Sequence, residues 1–313
     1  MASYLIRRFL ALIPTWIAIG IIAFALIRLA PGDPAAAMLS PDTLEGIDKV
    51  RERLGLDQPW WVQLYKFILN ASQGYLGESF FLGRSVTDAI IERLPTTGSL
   101  AGVAIVISVL IGVPAGIAAA LRPNSLSDTA IMAFAMLGLS LPSFFAGLIL
   151  IFFFAVGLGW MPAGGFVGFT EDPWEWFRHI IMPAFSLGFV QCALIARMTR
   201  SSMLEVMSSD YIRTAYAKGL PSRSVVWLHA FKNAMIPVVT VVGVIFALLL
   251  SGAFITEVLF RLPGVGSLII SAVKRRDYPI VQGGLLVFSS SVLLINVIVD
   301  VAYAWLDPRI KYS

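Results

Sequence analysis

Charge is scarce in this chain. Only 13% of its 313 residues are Asp, Glu, Lys or Arg, about half the share usual in a soluble domain. Its one cysteine, Cys192, excludes an intrachain disulfide and any cysteine-based metal cluster. Two histidines, His179 and His229, give no basis for a histidine metal site. No G-x-x-x-x-G-K-[ST] phosphate loop occurs, and no G-x-G-x-x-G follows a strand pattern. H-E-x-x-H and G-x-S-x-G are missing as well. The chain therefore offers no visible site for a nucleotide, a catalytic metal or a hydrolytic nucleophile, and is not expected to be an enzyme.

What it has is apolar length. Hydrophobic residues make up 58% of the chain, and a bilayer core takes about 20 apolar residues of helix. Six runs meet or approach that length, so an all-α, multi-pass membrane protein is expected. They are Phe9–Ile27, Thr96–Leu121, Thr129–Leu158, Ile180–Ala196, Ala234–Thr256 and Tyr278–Val299. The first resembles a secretory signal, with Ala35-Ala36-Ala37 as a cleavage site, but exceeds the usual signal length and reads as a retained helix bent near Pro14. Gly138 and Pro142 interrupt the third run, and the fourth has only 17 residues. No Asp, Glu or Lys lies near the middle of any run, whereas ion-driven carriers commonly place one there. Glu257 and Asp300, at run ends, read as interfacial.

Six crossings put both termini on one side. With that side inside, inner segments hold eleven of the 23 Lys and Arg, including the Arg197–Lys232 cluster. The outer segments hold eleven as well, but six of these lie in the long 31–95 loop, which weighs little in this rule, and basic residues clustered in loops fit a cytoplasmic membrane surface rather than nucleic acid. Lys274-Arg275-Arg276, which falls outside, departs from the rule. The organisation expected is a membrane helix in 1–30, a polar outer segment in 31–95, and five further helices in 96–306 with an inner loop at 201–233. Within the outer segment, Thr43–Leu54 and Trp60–Leu69 show helical apolar spacing, with Trp60, Leu64, Phe67 and Ile68 on one face of the latter. Such a segment suits either a cap lying on the membrane or a contact surface for an external partner.

The polar stretch Ser208–Pro237 reads as two short helices at the membrane surface. Ser209 or Asp210 fits the first N-cap. Ile212, Ala215, Tyr216 and Gly219 form one stripe, whose small members permit close approach by another surface. Gly219 fits the left-handed position past a helix end, with Pro221 preventing continuation. Ser222 fits the cap of a second helix carrying Val225, Val226, Leu228 and Phe231. On these grounds a hairpin resting on lipid and a hairpin gripped by a soluble partner are both open.

Eight short segments, in order, carry a resemblance. Asp210-Tyr211-Ile212-Arg213-Thr214-Ala215-Tyr216-Ala217-Lys218-Gly219-Leu220, with His229, Asn233-Ala234 and Pro237, resembles the EAA loop of ABC importer permeases, in the dipeptide/oligopeptide/nickel branch. Arg213 stands where the glutamate of that loop's name is commonly arginine, and Tyr216 departs from an arginine often found there. Leu29–Ala35, Leu54–Pro59, Arg93–Thr97, Arg197–Met203, Thr256–Gly266, Arg276–Gly283 and Asp307–Ile310 are similar to further segments of the branch. The resemblance implies the type I importer permease fold in a bacterial inner membrane, with both termini cytoplasmic. It implies that Asp210–Leu220 docks on a separate ATPase, two copies of which use ATP and Mg. A second, homologous permease would complete the pathway as a heterodimer, and this chain needs no cofactor. A periplasmic or lipid-anchored binding protein would deliver substrate to an outer face near Glu257, Pro263, Gly264 and Gly266. Di- or oligopeptides are the expected cargo, with nickel chelates, glutathione and opine-like solutes as alternatives. An autonomous secondary carrier or channel is the rival class, and a membrane scaffold a third.

Overall fold

The computed structural model describes residues 2–29, 57–79 and 81–306. The expected Thr43–Leu54 helix, the segments at 31–35 and 307–310, and the side chain of Asp300 lie outside the described residues. The helices run in the order α1 (Ala2–Leu29), α2 (Trp60–Ser72), α3 (Val86–Ile91), α4 (Leu94–Leu121), α5 (Leu126–Ser140), α6 (Ser143–Gly157) and α7 (Pro173–Met207). They continue as α8 (Asp210–Ala217), α9 (Ser222–Leu259), α10 (Val265–Arg275) and α11 (Tyr278–Leu306). A two-stranded antiparallel ribbon, β1 (Glu78–Ser79) and β2 (Arg84–Ser85), precedes α3 and pairs Glu78 with Ser85.

Among the described residues, four helical stretches are long and apolar enough to cross a membrane: 86–121, α7, α9 and 278–299. The α5–α6 pair makes a fifth if counted as one bent span. The apolar stretch Leu10–Ala25 of α1 is shorter than those. Pro14 does not end α1, which is one helix throughout.

The chain divides into two compact units. The first comprises Met1–Thr97 and Pro263–Leu294. Here α2 lies on α1 through the Phe24 and Phe67 rings, 6.0 Å apart, and Arg28 stacks over Phe24 at 4.6 Å. Trp16 Nε1 donates to Ser290 Oγ at 3.0 Å. Phe67 and Ile68 are half-buried as the spacing predicts, but Trp60 is 56% exposed and does not share their face. Arg276, at φ 57°, turns the chain from α10 into α11. The adjacent, buried Asp277 accepts from Ser79 Oγ at 2.5 Å.

The second unit comprises Gly98–Leu262 and Ile295–Ser313. Its main core joins α4, α7 and α9 through Leu100, Ala104, Ile180, Leu187, Ile195, Ile245 and Leu249. Lipid is as apolar as leucine, so membrane helices are held largely by close backbone approach at small residues. On α4 and α7 this is explicit. A Cβ added at Gly188 would lie 2.4 Å from the Ala104 carbonyl oxygen, and one at Gly116 would lie 2.5 Å from that of Ala196. Ser108 Oγ fills the crossing and donates to the Gly188 carbonyl at 2.7 Å.

One sequence expectation about spans needs correction. The 17-residue fourth run is the middle of α7, which has 35 residues. Asp172 starts this helix, accepting from the Trp174 and Glu175 N–H groups at 2.9 and 3.1 Å. Charges such as Arg197 and Glu205 end the apolar stretch but not the helix, since their long side chains reach water from a continuous backbone. The third run is interrupted at Pro142, as expected. α5 and α6 meet at 96°, with Leu141 extended ahead of Pro142, as the residue before proline prefers. The last turns of α6, Ile151–Gly157, widen into a π-helix.

Gly116→Ala and Gly188→Ala are expected to lower the melting temperature in detergent, because overpacking against backbone costs about 1–3 kcal/mol. Gly102→Ala, with nothing within 4 Å of the added carbon, is expected to leave it unchanged or raise it.

Candidate functional site

The polar hairpin is built onto the ends of long helices. Helix α7 ends at Met207, two residues turn the chain, and α8 begins at Asp210. Ser209 occupies the N-cap, but its side chain caps nothing. Its hydroxyl turns back to donate to the Val206 carbonyl at 2.6 Å. Asp210 is the first helical residue, where its charge suits the helix dipole. It faces Arg213 at 3.4 Å, an exposed pair of little energetic weight.

The stop is as expected. Gly219 has φ +80°. Its N–H donates to the Tyr216 carbonyl at 2.9 Å, and the Leu220 N–H reaches back to Ala215 at 3.4 Å. These two bonds make a Schellman closure, which satisfies carbonyls otherwise orphaned at the helix end. A Cβ at Gly219 would meet nothing within 4 Å, so glycine is required by backbone conformation and not by space.

The second half of the hairpin differs from expectation. Pro221, not Ser222, is the N-cap. There is no separate second helix, because α9 runs from Ser222 to Leu259, with a π-helical stretch at Val225–Ala230. The apolar stripe also faces elsewhere. Ile212 and Ala215 are buried, packed with Ile117 and Ala120 of α4, Met203 of α7, and Val225, Val226, Ala230 and Ala234 of α9. Of the small residues, Ala215 thus serves close approach within this chain and Gly219 does not. A polar latch closes the rim, as Asn233 Nδ2 donates to Tyr211 Oη at 2.8 Å and to the His229 carbonyl at 3.2 Å.

What α8 turns outward is Tyr211, Arg213, Thr214, Tyr216, Ala217 and Lys218, continued by Gly219 and Leu220. Beside it, Trp227 and Leu228 of α9 are 52% and 71% exposed. Residue spacing did not single out Trp227. Its signal was an aromatic next to an apolar residue in the turn leading into a span. Leu228 was assigned to an apolar face and lies on the outward one.

One strong ion pair was also unforeseen. Arg200 of α7 grips Asp128 of α5 at two points, Nε to Oδ1 and Nη2 to Oδ2, each 2.6 Å. Asp128 further accepts from the Asn124 N–H at 3.0 Å.

The residues expected at an outer face are mostly not at a surface. Glu257 is fully buried at the end of α9, and Gly264 and Gly266 are buried as well. Pro263 is exposed. Among the described residues no group of three His, Cys, Asp or Glu side chains is placed to hold a metal.

Residues 112–312 match the family described as binding-protein-dependent transport system inner membrane component, and residues 1–101 match its N-terminal counterpart. The chain belongs to this family. It is a membrane permease subunit of the ABC transporter class and not an enzyme. A Brucella abortus protein assigned as a peptide transport system permease is 44% identical over 317 residues, covering all of both chains. The dipeptide transport system permease protein DppB of Alkalihalophilus pseudofirmus is 41% identical over 333 residues, again end to end. The glutathione transport system permease protein GsiC of Escherichia coli is 42% identical over 314 residues, with the same coverage.

For this permease, Ile212→Ala is expected to loosen the hairpin by about 2–4 kcal/mol. Trypsin should then cut after Arg213 and Lys218 at least about tenfold faster than in the parent chain. Thr214→Ala, on the outward face, should leave the cleavage rate unchanged.

Proposed function

We propose that this chain forms half of the translocation pathway of an ATP-driven importer for di- or oligopeptides, and that α8 is the helix on which a separate ATPase docks. The observation that carries the reading is the division of α8 into two faces. Ile212 and Ala215 of its stripe are buried inside the chain, yet Tyr211, Tyr216 and Leu220 stay exposed beside Trp227 and Leu228. Arg213, Lys218 and Arg223 are exposed around them. Aromatic and arginine anchors within a polar rim are the usual make-up of a protein interface.

In this reading the chain crosses a bacterial inner membrane six times, with α5 and α6 as one bent span and both termini in the cytoplasm. A second, homologous permease completes the pathway, and two ATPase subunits burn ATP with Mg. A periplasmic or lipid-anchored binding protein presents substrate on the opposite face, where Pro263 is the exposed member of the set first expected there. The names of the relatives support a peptidic cargo, glutathione being itself a tripeptide. No residue described above separates di- from tripeptides.

The test is purification of the tagged chain in mild detergent. An ATPase and a second permease are expected with it. Gly219→Val, which strains a left-handed position by about 1–2 kcal/mol and splays the end of α8, should leave the chain in the membrane. It should also abolish both ATPase co-purification and ATP-dependent uptake. Survival of both in that variant refutes the docking assignment, and uptake by the chain alone would make it an autonomous carrier.

A further inference from the structure

We propose that the Asp128–Arg200 ion pair is the joint through which displacement of the hairpin is passed to the bent α5–α6 segment. The proposal rests on the docking reading above. Arg200 lies one turn before Met203, whose side chain packs in the cluster under Ile212 and Ala215. Anything that moves α8 therefore moves this part of α7. Asp128 sits in the first turn of α5, its side chain 5% exposed, and both its oxygens are engaged. The two-point fork fixes angle as well as distance, which a single contact does not.

Two features give α5 room to be driven. Towards α4 it borders a half-open apolar groove of about 310 Å³ between α4, α5 and α7, lined by Ile111, Ala115, Ile131, Phe134, Phe189 and Cys192. At its far end α5 meets α6 at the 96° break. The remaining hold of α5 on α7 includes the Phe134–Phe189 edge-to-face contact at 5.7 Å, a contact without a fixed register. Among the described residues the ion pair is the polar, two-point link between two helices that otherwise meet through apolar packing. A merely stabilising pair would change melting temperature but not the relative motion of α5 and α7 during the ATP cycle.

The test uses the complete transporter in lipid vesicles, with Cys192→Ala and spin labels at two exposed positions, Met136→Cys on α5 and Glu205→Cys on α7. Distances are measured without nucleotide and after trapping with ATP and vanadate. In the parent complex the α5–α7 distance should stay constant between the two states. In Asp128→Asn, which leaves behind the more water-accessible partner, the distance should shift between states and its distribution broaden. If Asp128→Asn does not assemble, Arg200→Lys gives the same readout, since lysine keeps the charge but cannot make the fork. A shift in the parent complex overturns the proposal, and so does an unchanged distance in the assembled variant. Failure of the ATPase to co-purify with the parent chain would instead refute the docking reading, a separate result.

Discussion

The structure depends on a small apolar cluster beneath its polar hairpin. Ile212 and Ala215 face inward from α8 and meet side chains from the ends of α4, α7 and the start of α9. An eight-residue helix has no stability of its own in water. It persists here because burying a side chain the size of isoleucine is worth about 1.5–3 kcal/mol, and because the Schellman closure at Gly219 and the Asn233–Tyr211 latch satisfy its loose ends. The same contacts make α8 a rigid extension of three long helices. A force applied to its outward face is delivered to all of them.

Rigidity further along the unit comes from a different source. Between α4 and α7 the glycines bring backbone against backbone, and Ser108 bridges the gap. Such contacts do not slide, since any shift drives carbonyl oxygens into neighbouring atoms. Beside this frame, α5 borders a half-open apolar groove and ends in a sharp break. The unit thus combines a frame of α4, α7 and α9 with α5, which packs on α7, borders a half-open groove and leads into the break with α6.

Much of this was legible in residues. Apolar length and scarce charge marked the long helices, and the Gly219-Leu220-Pro221 sequence located the end of α8, because local backbone rules operate there without tertiary help. Pro142 located the break in the third run, but its 96° angle depends on how α6 packs. Long-range facts were not legible. Asp128 looked like any polar residue in a turn, and nothing local paired it with Arg200, 72 positions away. Glu257 ends an apolar run, and its complete burial there follows from packing that the run does not show. Direction was the other gap. The stripe of Ile212 and Ala215 was visible, but whether it faced a partner or the chain's own helices was decided by α4 and α9. The same ambiguity hid Trp227 and Leu228, whose outward placement follows from the continuity of α9 through its π-helical turn.

The central claim is that the inward face of α8 is held by this chain while its outward face awaits an ATPase. Amide hydrogen exchange across residues 210–220, in the isolated permease and in its ATPase complex, tests this most directly. The account predicts that α8 is protected in the isolated chain and becomes more so in the complex. Exchange at the rate of an unstructured segment in the isolated chain, or protection that the ATPase leaves unchanged, would contradict it.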